Sequence, residues 1–138
     1  MTDPVASTSG TGDEDERYER FRARLVGNDP VEVTTGPGGL SFYVTAGGRR
    51  RFAGHFNARP RKAEAGRGFA DMKPAATGLD PDRVVAELEQ RLAGRADMRR
   101  GAAWWSAHFA ATEDVAVATA FRTVILEPLL HELEDSHG

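Results

Sequence analysis

Seven basic side chains fall within residues 49–67: Arg49, Arg50, Arg51, Arg59, Arg61, Lys62 and Arg67, opposed only by Glu64. Guanidinium forks match phosphate oxygens in bidentate geometry, so this +6 island points to a phosphate-bearing ligand or a nucleic acid. Acidic sequence surrounds it, with a net of −4 over residues 1–48 and −5 over residues 68–138, leaving the whole chain at −3. That total excludes a wholesale polyanion binder of the histone kind. Two other sources of arginine compete with the ligand reading. Sixteen Arg against two Lys, with abundant Ala and Gly, is the usage of a high-GC bacterial genome. Arg-rich hairpin edges also discourage edge-to-edge pairing between sheets.

Other chemistry is thinner. With no cysteine there is no thiol nucleophile, disulfide or Cys-ligated metal. Of the four histidines, His55 lies inside the basic island, where neighbouring arginines favour a neutral imidazole able to act as a base. No serine or carboxylate partner can be assigned to it by position. His108 lies four residues after Trp104, and Glu127, His131 and Asp135 share i, i+4, i+8 spacing. On one helix that spacing gives electrostatic pairs rather than three ligands converging on an ion. The glycine clusters Gly36-Pro37-Gly38-Gly39 and Gly66-Arg67-Gly68 match no phosphate loop or dinucleotide fingerprint. No nucleophile elbow and no zincin motif is present. The expectation is a protein without a cofactor or catalytic metal; a small hydrolase or transferase using His55 or His108 is the third-ranked alternative.

The elements that must position the island follow from periodicity. Leu40–Ala46 and Arg49–Phe56 alternate around Gly47-Gly48, a two-residue loop whose positions both tolerate positive φ. Register follows: Ala46 pairs Arg49, Thr45 pairs Arg50, Tyr43 pairs Phe52. One face then carries Leu40, Phe42, Val44 and Ala53, with Arg51 and His55 at its margins. The other carries Ser41, Tyr43, Thr45, Arg50 and Phe52, placing two aromatic rings beside an arginine. Rings on an open sheet are how several single-strand RNA modules hold bases. Arg59-Pro60-Arg61-Lys62 would then form an arm touching phosphates.

Around this hairpin, residues 1–13 read as a disordered acidic and polar tail, and residues 14–138 as a single domain. Glu14–Val26 predicts a helix with Tyr18, Phe21 and Leu25 on one stripe, capped by Asp13. Val31–Thr35 predicts a strand, and a further short strand is possible at Phe69–Met72. Asn57–Gly66 reads as loop. Asp80 and Pro81 open a helix that Gly94 ends, with Val84, Val85, Leu88 and Leu92 on its inner face and a Glu87–Arg91 pair outside. Residues 97–111 follow helical spacing through Met98, Ala102, Trp105 and Phe109. Residues 115–126 fit helix or strand; helix is preferred, with Pro128 as a kink.

These readings give an α+β domain of order α-β-β-β-α-α-α: a short antiparallel meander packed against three to four helices. The expected function is a small cytoplasmic, non-enzymatic binding or regulatory protein. Its ligand surface comprises Arg49, Arg50, Arg51, Arg59, Arg61 and Lys62, with Tyr43 or Phe52 stacking. The alternative is a protein-interaction or homo-oligomeric module built on Trp104, Leu126, Leu130 and Leu133, because adjacent Trp104 and Trp105 cannot both face one core. An acidic protein or a second copy is then the partner. No secretory signal and no apolar run approaching ~20 residues occurs, so no membrane partner is expected.

Overall fold

The Gly-Gly hairpin is the centre of the structure, a computed structural model that describes residues 16–36, 39–46, 48–58 and 67–137. The chain enters through a helix over residues 16–26 (α1), followed by β1 (Glu32–Gly36), β2 (Gly39–Ala46), β3 (Arg49–Asn57) and β4 (Arg67–Met72). Helix α2 (Pro81–Leu92) crosses to β5 (Asp97–Arg100) and β6 (Trp105–Ala110). The chain ends in α3 (Asp114–Phe121) and α4 (Glu127–His137), joined through a widened π-turn over Arg122–Leu126. All six strands form one antiparallel sheet in the order β1-β2-β3-β4-β6-β5. The α+β meander packed against helices is therefore present, with the order α-β-β-β-β-α-β-β-α when the last rod is counted once.

The hairpin adopts the register its loop dictates, with Ala46 opposite Arg49, Thr45 opposite Arg50 and Tyr43 opposite Phe52. Simple alternation then breaks. Phe42 pairs with Gly54, so Ala53 is an extra residue in β3 and forms a β-bulge. Gly54 has φ +154, and a Cβ there would meet the Phe121 ring at 3.0 Å. The bulge reverses the facing of the rest of β3. Phe56 turns into the core and His55 turns out, whereas strict alternation places His55 on the core side.

The core lies on one face of the sheet. Phe42, Val44, Phe56, Met72, Trp105 and Phe109 all point there and are buried. From α1, Phe21 stacks on Phe56 with ring centroids 4.1 Å apart, and Leu25 and Val26 are buried beside it. Helix α2 begins where expected. Asp80 accepts from the backbone N–H groups of Asp82 (3.1 Å) and Arg83 (3.5 Å), while Val84, Leu88 and Leu92 are buried. Its outer pair is Arg83–Glu87 at 2.9 Å, not Glu87–Arg91.

Residues 97–111 are a hairpin, not a helix. Trp105, Ala107 and Phe109 are buried and alternate with half-exposed Ser106, His108 and Ala110. The period is two, and the fit of Met98, Ala102, Trp105 and Phe109 to helical spacing is coincidental in so short a run. The Gly101 N–H donates to the Trp104 carbonyl at 2.7 Å and closes the turn between the strands. Residues 115–126 are helical, as preferred. The π-turn immediately precedes Pro128, whose ring would clash with the carbonyl four residues back in a regular helix. The residue 1–13 tail, the Asp13 cap and residues 59–66 lie outside the described residues. Among those described, no helix is long and apolar enough to cross a membrane.

Candidate functional site

No described helix covers the second face of the sheet, and its residues are fixed by the register. Across β2, β3 and β4 it presents Ser41 and Tyr43, then Phe52, His55 and Asn57, then Phe69 and Asp71, with His108 beyond on β6. Trp104 enters this face because adjacent residues entering a strand point to opposite sides, so Trp105 seals the core while Trp104 stays 42% exposed. Its second neighbour is the hairpin, with its ring edge-on to Phe52 at 5.8 Å. Tyr43 and Phe52 are 5.6 Å apart, and Phe69 lies between His55 (5.9 Å) and His108 (5.5 Å). Tyr43, Phe52, Phe69 and Trp104 line a groove of about 630 Å³ together with Ser41, His55, Asn57, Asp71 and Lys73.

The described arginines of the hairpin do not converge. Arg50 lies on this face, its guanidinium 3.7 Å from the Tyr43 ring centroid, but it donates two bonds to Glu32 at 2.9 and 2.7 Å. Those bonds hold the Glu32 carboxyl below its ordinary value and raise Arg50 further. Arg51 turns to the helix side and binds Glu132 of α4 at 3.1 and 2.9 Å. Arg49 is exposed at the tip of the hairpin. Arg59, Arg61 and Lys62 lie outside the described residues. Lys73 forms no ion pair with a described residue, and its Nζ sits 4.8 Å from the Trp104 ring centroid.

His55 does have a carboxylate partner. Its Nδ1 lies 3.0 Å from Asp71 Oδ1, with both side chains about one-fifth exposed, and Ser41 faces it across β2. Phe69, Asp71 and Lys73 escaped notice in the sequence because β4 was recognised only as a possible short strand. The alternation of Phe69 and Asp71 against Ala70 and Met72 was the available signal.

The leucines proposed alongside Trp104 belong elsewhere. Leu126 is 1% exposed inside the chain's own core, and Leu130 packs half-buried against it. The Leu133 side chain lies outside the described residues. Trp104 and α4 occupy opposite sides of the sheet and do not form one surface. Among the described residues, no three His, Asp or Glu side chains converge as metal ligands.

The most buried ion pair lies on the helix side. Arg17 of α1 donates two bonds of 2.9 Å to Asp114, the fully buried first residue of α3. Compared with known proteins, the chain matches no family model, no curated protein and no solved structure. The functional reading therefore stands on the geometry of the open face.

Proposed function

We propose that this chain is a small non-enzymatic binding protein whose ligand is a phosphate-bearing flat heterocycle, a nucleotide, held on the open face of the sheet. The observation that carries this reading is the groove of about 630 Å³, lined by four aromatic rings on a face that no described helix covers. Its volume is within the roughly 300–1,000 Å³ of small-ligand sites, and its mix of apolar walls with a few polar groups is theirs as well. Rings supply stacking surface, while Ser41, Asn57, His55 and Asp71 offer donors and acceptors to the edge of a heterocycle. An extended peptide fits less well. In the middle of a sheet the main-chain groups are already used in the ladder, so a peptide backbone would find no partners there.

Phosphate capture is a smaller part of this mechanism than the arginine count suggests. Arg50 and Arg51 already hold carboxylates, which among the described residues leaves Lys73 as the cation lining the groove. A titration of Trp104 fluorescence with mononucleotides at low and high salt tests the proposal, because Trp105 is buried and does not line the aromatic groove. Saturable quenching is expected, with affinity falling as salt screens the Lys73–phosphate contact. Phe52→Ala should abolish it. No binding of any of the four bases at low salt would refute the reading.

The exposed Trp104 also favours a second reading, a protein partner seated on the same rings. Concentration-dependent light scattering that Trp104→Ala removes would point to a second copy.

A further inference from the structure

Trp104 and Lys73 line two grooves, not one. The second has a volume of about 770 Å³ and runs between Pro74–Ala76, the first turns of α2 and the Gly101–Trp105 turn. Ala76, Lys73 and Trp104 line both this groove and the aromatic one, so the two adjoin at the indole. Their floors differ. The first has aromatic rings with polar groups between them. The second is lined by Pro81, Val85, Ala102 and Ala103, with Asp82 and Arg100 at its rim. The Arg100 charge is already engaged, because its guanidinium donates to Glu89 at 2.9 and 2.7 Å. The Lys73 ammonium therefore stands at the join between an aromatic compartment and an aliphatic one.

Building on the nucleotide reading, we infer that the two grooves form a two-unit site whose ligand carries two flat heterocycles joined through a phosphodiester. One ring lies among Tyr43, Phe52 and Trp104, the other beyond the indole against Val85 and Pro81, and Lys73 meets the linking phosphate. Such a ligand is either a free dinucleotide or two successive nucleotides of a single strand. The chemistry required at the site is the same for both.

Isothermal titration of the full chain with a mononucleotide, the matching dinucleotide and the matching tetranucleotide tests this. Because the second ring would bury its faces against the indole and the Val85 and Pro81 side chains, the dinucleotide should bind about tenfold more tightly than the mononucleotide. Ala103→Leu, in the exposed turn, should fill the second groove and remove that advantage while leaving mononucleotide affinity unchanged. Lys73→Gln should weaken the dinucleotide and flatten its salt dependence. A tetranucleotide that binds tighter still supports a strand as the source, and one that binds like the dinucleotide supports a free ligand. Equal affinity for mono- and dinucleotide overturns the two-unit site but spares the nucleotide reading. So does an Ala103→Leu variant that weakens both equally. Binding of neither overturns both.

Discussion

The two faces of the sheet are built from the same strands and both carry aromatic rings, yet only one is sealed. Strand β2 turns Phe42 inward and Tyr43 outward, and β3 turns Phe56 inward and Phe52 outward. On the inner face Phe21 covers Phe56, which stacks in turn on Phe109 at 5.9 Å. On the outer face Phe52 meets Trp104 edge-on and Tyr43 at a tilt, Phe69 stacks on His108, and these side chains remain partly exposed. The inner rings have already contributed their apolar burial to folding. The outer rings retain surface whose burial remains available to a ligand. A face that only held the sheet together would not need Trp104, Phe52 and Tyr43 in one row.

If this distinction is right, equivalent truncations on the two faces should differ in kind. Phe56→Ala removes a fully buried ring stacked on two others, and should cost about 3–5 kcal/mol in a denaturant titration. Asp114→Ala should be comparably severe. It removes the carboxylate from a buried Arg17 and from Arg20, and breaking such a pair costs about 3–5 kcal/mol. Phe52→Ala should cost only about 1 kcal/mol of stability while losing nucleotide binding. Equal stability losses for Phe56→Ala and Phe52→Ala would erase the difference between the faces.

Gly54 is where the two faces are coupled, and a substitution there has an intermediate expected effect. Its positive φ and its closeness to Phe121 allow the bulge that sends Phe56 in and His55 out. Gly54→Ala should destabilise by roughly 1–3 kcal/mol, read as a shift of the denaturation midpoint. It should also move the His55 imidazole signals in an NMR spectrum, since the ring stands on the next residue. An unchanged midpoint would mean that β3 can carry the bulge without glycine.

The bulge also marks the limit of what was legible in the sequence. The hairpin register was readable because a two-residue loop fixes it by counting, and Asp80-Pro81 marked the start of α2 through capping chemistry. The bulge was not readable, because an alternating pattern gives no sign of one inserted residue until the partner strand is known. Residues 97–111 read as helix because Met98, Ala102, Trp105 and Phe109 fit helical spacing when the turn residues between the two strands are small. The candidate site was half legible. Tyr43, Phe52 and Arg50 were placed together by the register, whereas Phe69, Asp71 and Lys73 join them only through the non-local pairing of β3 with β4. Local charge counting also misled. It grouped arginines that the alternation of β3 sends to opposite faces and binds to Glu32 and Glu132.

The smallest expected effect concerns an acid beneath the second groove. Glu89 accepts from Arg100 and from the Trp105 indole N–H at 3.0 Å, and the Arg100 bonds, chiefly, hold its carboxyl below the ordinary value of 4.5. A carboxyl depressed in the folded state binds protons more readily when unfolded. Its contribution is therefore complete above about pH 4.5 and is lost as pH falls through the folded value. Because Arg100 is 66% exposed, that contribution should be under about 1 kcal/mol. Glu89→Gln should accordingly lower stability by up to that amount across the neutral range, and the difference from wild type should vanish as pH falls below about 4.5. Glu32 is depressed in the same sense by Arg50, but both side chains are about half exposed and neither is backed by a core residue, so salt should weaken that pair first. If raised salt removed the Glu89 and Glu32 effects together, the turn that carries Trp104 would rest on an open surface pair. Persistence of the Glu89 effect alone would show that the floor beneath Trp104 is held from the core side while the ring itself remains open.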